Sequence, residues 1–227
     1  MKSKSLLLLC CLSLFIFSCK NKSTPSSEAE EKTPQKENIL QKVANAHGIE
    51  NWSKIKELQY TFNVDRDSSH YERSWKWQPK ENKVEMLSST DTVSYTRTTM
   101  DSLATKADQA FINDKYWLLF PYQLVWDEGF SHSVKKDISA PISQQKLAEI
   151  TIEYNNEKGY TPGDTYKIYV DKNYIIQEWA FYPKGKNEPA LVSTWEDYQT
   201  LNGLKIAKMH KNESGSFKLY FSNLEIQ

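Results

Sequence analysis

Hydrophobic positions repeat with a helical period in one early stretch of this chain. Ile39, Leu40, Val43 and Ala46 fall at i, i+1, i+4 and i+7 and make a single apolar stripe. Thr33-Pro34 supplies a cap and first-turn pair ahead of it, and Gly48 stands where a glycine ends a helix. Asn51 caps a further single turn through Trp52 and Ile55. From residue 58 the period becomes two. Leu58, Tyr60, Phe62 and Val64 alternate with Gln59, Thr61, Asn63 and Asp65, the pattern of a half-buried strand. Asp65-Arg66-Asp67-Ser68 reads as a turn, and Tyr71, Arg73, Trp75 and Trp77 form the next face. Further strands are predicted at 83–88, 92–99, 150–154, 166–170, 175–182, 191–195, 204–209 and 217–221, with turns at Gly185, Asn202-Gly203 and Ser214-Gly215. About ten strands at short, regular spacing predict one antiparallel meander in a single domain over 37–227.

One segment obeys neither period. In FINDKYWLLFPYQLVWD, residues 111–127, apolar side chains crowd both sides of Pro121. A strand would alternate, and an unbroken helix would not tolerate the proline. The segment is expected to bend and pack across the sheet, part of it as a short helix. Its aromatic load has two readings: plain core, or the lining of an apolar cavity inside an open β-architecture. The candidate cavity residues are Trp75, Trp77, Trp117, Leu118, Leu119, Phe120, Tyr122, Leu124, Trp126 and Trp179.

The N-terminus changes the picture of where the domain works. Lys2 and Lys4 precede an apolar run from Leu6 to Phe17, too short for the roughly 20 residues a membrane-spanning helix needs. Ile16-Phe17-Ser18-Cys19 resembles a bacterial lipobox, in which the cysteine is acylated and becomes the mature N-terminus. Residues 1–18 are therefore expected to be a lipoprotein signal peptide and Cys19 a membrane anchor. The stretch KNKSTPSSEAEEKTPQK, residues 20–36, holds no aliphatic residue beyond Ala29 and reads as a disordered tether. At about 5–6 Å × √n its mean reach is about 20–25 Å. Lipoproteins exported to the cell surface often carry acidic residues directly after the cysteine; here Lys20-Asn21-Lys22 follows Cys19 and Glu28, Glu30 and Glu31 come later, so that likeness favours the periplasmic side of an outer membrane over the cell surface.

Composition narrows the function classes. Lys+Arg and Asp+Glu both number 29, so no net charge argues for nucleic acid. All three cysteines lie at or before residue 19, leaving the body without a disulfide, a cysteine metal site or a thiol nucleophile. The histidines, His47, His70, His132 and His210, form no His-x-x-x-His or His-x-His pair. Asp65, Asp67 and His70 are close in sequence, but a solvated hairpin tip accounts for them better than a cation site. His47 is expected to meet the terminal carbonyls of its own helix. There is no Gly-x-Ser-x-Gly elbow, Ser-x-x-Lys box, His-Glu-x-x-His or phosphate loop. No catalytic residue, metal or cofactor is assigned.

Four segments, AHGIENWSKIKEL (46–58), NDKYWLLFPYQLVWD (113–127), YTPGDTYKIYVD (160–171) and NGLKIAKMHK (202–211), join the leader in a wider likeness. The chain resembles the LolA/LolB-like superfamily of periplasmic lipoprotein carriers, and within that general shape the lipoproteins of Bacteroidota. The resemblance implies a mainly β (α+β) fold: a strongly curved antiparallel sheet forming an incomplete barrel, covered by an N-terminal helix and short helical segments. It also implies an apolar interior that receives acyl chains. No motif matches the carrier's functional arginine to Arg66, Arg73 or Arg97, so lipid or apolar-ligand binding is inherited rather than lipoprotein transfer. The expectation is a non-enzymatic, membrane-anchored binding protein. Two alternatives stand beside it: a carbohydrate-binding module using exposed Trp and Tyr faces, and a hydrolase without a recognisable motif.

Overall fold

The computed structural model describes residues 38–155, 157 and 161–227. The signal peptide, Cys19, the tether and the Thr33-Pro34 cap lie outside the described residues. Helix α1 spans Ile39–Ala46, and its cap is Asn38, whose side chain accepts from the Gln41 amide at 2.9 Å. Leu40, Val43 and Ala44 are the buried stripe. His47 ends the helix and places Nδ1 2.7 Å from the Val43 carbonyl oxygen. Gly48 follows with φ +86°, and a Cβ there would lie 1.9 Å from the Gly203 carbonyl oxygen. The glycine is required twice, by the left-handed backbone and by this close approach. A 3₁₀ turn over Ile49–Lys54 leads into the sheet.

The strands are β1 (Leu58–Arg66), β2 (Ser69–Gln78), β3 (Lys83–Leu87) and β4 (Thr92–Thr96), then β5 (Phe130–Ser139), β6 (Lys146–Tyr154), β7 (Thr165–Val170), β8 (Ile176–Tyr182), β9 (Leu191–Thr194), β10 (Glu196–Leu201), β11 (Leu204–Lys211) and β12 (Phe217–Ile226). The antiparallel order is shared between two sheets. A seven-stranded sheet runs β10-β11-β12-β1-β2-β3-β4, and a five-stranded sheet runs β5-β6-β7-β8-β9. Among the described residues neither closes into a barrel. Pairing of β12 with β1 returns the end of the chain to the first strand, with Leu58 opposite Ile226. The sheets are joined through Trp195, the one residue between β9 and β10. Its amide still donates to the Gln177 carbonyl oxygen at 2.8 Å, while the next residue, Glu196, pairs with Met209 in the other sheet.

The largest departure from expectation is α2, Ser102–Trp126. Where short helical segments are expected, two helical stretches meet at a kink within these 25 residues, and the first is longer than expected. Asp101 caps it by accepting from the Ala104 amide at 2.8 Å. It bends at Leu119, whose φ of −119° and ψ of 22° leave the helical region two residues before Pro121. Proline has no N–H for the carbonyl four residues back, and its ring crowds that carbonyl. The chain yields by breaking, not by abandoning the helix. β5 and β10 are also unanticipated, because their side chains are mostly exposed and show no buried alternation.

Candidate functional site

Helix α2 lies between two hydrophobic clusters. Phe111, Leu118, Leu119 and Tyr122 pack with Tyr60, Trp75 and Trp77 of the seven-stranded sheet. Tyr116, Phe120 and Leu124 pack with Ile150, Tyr166 and Trp179 of the five-stranded sheet. Trp117 is half-buried and touches both clusters. Two buried ion pairs fix the helix to the first sheet. Asp114, fully buried, accepts from Arg73 and from Trp75 Nε1 at 2.8 Å. Asp108 accepts from Arg97 Nε at 2.8 Å and from the Tyr95 hydroxyl at 3.1 Å. Burial pushes the Asp114 carboxyl up, and Arg73, Asn113 and Trp75 oppose the shift.

The sequence-predicted cavity residues divide between the two clusters and the edge of a cleft. Trp75, Trp77, Leu118, Leu119 and Tyr122 are buried in the first cluster, and Phe120, Leu124 and Trp179 in the second. Trp126 is half-buried and packs on Trp52, with ring centres 4.7 Å apart. Trp117 and Trp179 are the two of the ten that border an open cleft of about 450 Å³. Stacking on sugar rings would need Trp75, Trp77 or Trp179 exposed in a row; all three are buried, Trp77 the most exposed at 7%.

The cleft lies between the first half of α2 and the inner face of the five-stranded sheet. Ile112, Tyr116 and Trp117 form the helical wall, with Gln109 and Asn113 at its edge. Tyr166, Trp179, Phe181 and Leu191 form the sheet wall, and Thr161 closes one side. Trp117 meets Trp179 edge-on at 4.3 Å, and Tyr166 stacks on Phe181 at 5.2 Å. The tyrosine hydroxyls on this face are occupied. Tyr116 pairs with Tyr154 at 3.2 Å, Tyr154 donates to Asp127 at 2.6 Å, and Tyr166 pairs with Thr161 at 3.2 Å. Burial pushes the Tyr116 hydroxyl well above the ordinary phenol range. Aromatic faces, with no carboxylate, amine or histidine among them, therefore border the open volume, which suits an apolar ligand. A second depression of about 400 Å³, over β2, β3 and β4, is edged by Lys76, Gln78, Lys83 and Glu85 and has no comparable aromatic wall.

Ile112, Tyr166, Phe181 and Leu191 are cleft residues that the sequence reading does not single out. The alternation of Trp179 and Phe181 in β8 was the available signal, but which strand faces α2 is a tertiary fact. His70 sits at the exposed hairpin tip, with Nδ1 2.7 Å from Asp65 and Nε2 3.4 Å from Glu72. No group of His, Cys, Asp or Glu able to hold a metal occurs among the described residues. No helix among them is long and apolar enough to cross a membrane.

No family model matches the sequence, and no curated protein matches it. Among solved structures the chain is similar to a LolA superfamily protein from Nitrosomonas europaea, at 10% identity and a TM-score of 0.48, over 83% of this chain and 92% of that one. It is similar to a DUF1329 family protein from Desulfovibrio piger, at 8% identity and a TM-score of 0.45, over 83% and 93%. A third likeness is to MucB in complex with MucA(peri), at 10% identity and a TM-score of 0.22, over 83% of this chain and 54% of that one.

Proposed function

We propose that the protein is a membrane-tethered, non-enzymatic binding protein that takes an acyl chain or similar apolar ligand in the cleft beside the α2 bend. The observation that carries this reading is the cleft itself: about 450 Å³ open between helix and sheet, walled by Tyr116, Trp117, Tyr166, Trp179 and Phe181. Volumes of that order match the sites of small apolar ligands. The anchor at Cys19 and a periplasm-facing place on the outer membrane belong to the same proposal, resting on the lipobox-like Ile16-Phe17-Ser18-Cys19.

The test uses a soluble form beginning at Glu37, which opens the compact unit 37–227. An environment-sensitive fatty-acid probe should bind it and perturb tryptophan fluorescence. Leu191→Trp, which narrows the cleft from its half-buried wall, should weaken uptake about tenfold or more with little change in urea midpoint. Leu118→Phe, in the packed core, should instead lower the unfolding free energy by about 1–3 kcal/mol. Folded protein that takes up no acyl-chain probe would overturn the binding reading. For the anchor, Cys19→Ser in the full chain should release the protein from membranes; unchanged fractionation would overturn that half.

A further inference from the structure

Three buried polar atoms have no hydrogen-bond partner where the two sheets meet, Trp179 Nε1, Ser193 Oγ and Trp195 Nε1, and the buried His210 ring beside them has only the Thr194 backbone within reach. Such atoms are rare in folded proteins, and three in one place need an explanation. They form one cluster. Trp179 and Ser193 stand directly opposite each other across β8 and β9. The Trp179 and Trp195 rings are 5.7 Å apart, and Trp195 and His210 are 4.5 Å apart. Phe181 and Leu191, the preceding row of the same two strands, border the cleft. The cluster is therefore the next row inward. Trp117 spans the two, at 4.3 Å from Trp179 and 5.3 Å from His210.

The atoms specify what would complete them. Indole N–H groups only donate, so the complement must carry an acceptor; a serine hydroxyl and a neutral imidazole can each donate or accept. The site is also uncharged. Burial lowers His210 to about 3, with only the Thr194 backbone opposing and no charged side chain contributing. An unpaired carboxylate or phosphate would be strongly disfavoured here, whereas an uncharged oxygen would not.

Resting on the cleft reading above, we propose that this cluster is the polar end of the ligand site and receives the ester carbonyl or hydroxyl of a neutral lipid whose chain lies in the cleft. Trp117 is the side chain that must swing aside for entry. The bend at Leu119 lies two residues along, and the Trp117 carbonyl is the one that Pro121 cannot satisfy.

The experiment is competition against a bound fluorescent acyl probe, using the purified protein and competitors of one chain length: a monoacylglycerol, the fatty-acid anion and the plain alkane. Wild type should prefer the monoacylglycerol over both others by roughly tenfold, as expected for one or two new hydrogen bonds made in a dry site. Ser193→Ala and His210→Phe should each reduce that preference several-fold while alkane competition persists and the thermal midpoint holds or rises. If either variant fails to fold, the other carries the test. Equal competition by monoacylglycerol and fatty-acid anion, or a preference untouched by both substitutions, would overturn the polar-end assignment and leave the cluster as a hydration site. Absence of competition by every acyl compound would instead overturn the cleft reading itself.

Discussion

The two faces of α2 bury polarity on opposite terms. Toward the seven-stranded sheet, Asp108 and Asp114 are met by Arg97 with Tyr95 and by Arg73 with Trp75. Toward the corner with the five-stranded sheet, Trp179, Ser193, Trp195 and His210 keep unused hydrogen-bonding capacity. Saturated groups hold a helix in place and bind nothing further. Unsaturated groups beside an open cleft lower the stability of the ligand-free protein and reserve their bonds for something else. The same helix thus acts as a fixed wall on one side and as a rim on the other.

The largest expected effect comes from breaking the saturated face. Asp114→Ala would leave the Arg73 guanidinium, 16% exposed, without its carboxylate and Trp75 Nε1 without its acceptor. Removing one partner of a buried pair costs about 3–5 kcal/mol, and the lower end applies because Arg73 keeps the Tyr71 hydroxyl at 2.9 Å. Urea unfolding should show this loss. The double substitution Arg73→Met with Asp114→Leu should recover most of it, since replacing both charges by apolar groups is often neutral. A single variant as stable as wild type would mean that the pair does not fix the helix.

The next effect comes from two buried histidines in different surroundings. Burial lowers His47 to about 4 and His210 to about 3. His47 is also hydrogen-bonded to Val43 and lies 3.4 Å from the Tyr198 hydroxyl. Both folded values lie below the roughly 6.5 of an unfolded chain, so on acidification the unfolded state takes up protons first. Stability should therefore be full above pH 6.5 and fall as pH drops through that value, until each folded histidine titrates. The slope is about 1.4 kcal/mol per pH unit for each histidine. His210→Phe should remove one histidine's share between pH 6 and pH 4. Parallel pH–stability curves for wild type and variant would show that His210 is not held neutral.

How far these contrasts were legible in the sequence depends on how many faces each element presents. β1, β2, β7 and β8 each bury much of one face, so alternation exposed them. β5 lies at a sheet edge with little buried surface, and no period could reveal it. The first half of α2 was missed because its buried face is marked mostly by small side chains, Ala104, Ala107 and Ala110 ahead of Phe111, a weak stripe. The aromatic segment around Pro121 was legible as bent, and Trp117 and Trp179 were named from it and from β8. Their neighbours at the corner were not, because Ser193, Trp195 and His210 converge only through the passage of the chain from one sheet to the other.

The smallest expected effect sharpens the comparison most, because it concerns sign. Two buried hydroxyls differ chiefly in whether they are used. Thr61 Oγ1 lies 2.8 Å from Ser74 Oγ and accepts from Asn223 at 3.2 Å, whereas Ser193 Oγ has no partner. Thr61→Val keeps the shape, removes the hydroxyl and strands two neighbours, so it should lower stability by about 1 kcal/mol. Ser193→Ala removes a buried group that makes no bond in the ligand-free protein. It should leave stability unchanged or raise it by up to about 1 kcal/mol. Urea midpoints of the two variants, measured without ligand, should move apart on either side of wild type or leave only Thr61→Val displaced. A loss in Ser193→Ala equal to that in Thr61→Val would show that the corner is already satisfied by ordered water, and the two faces of α2 would then be alike in their chemistry.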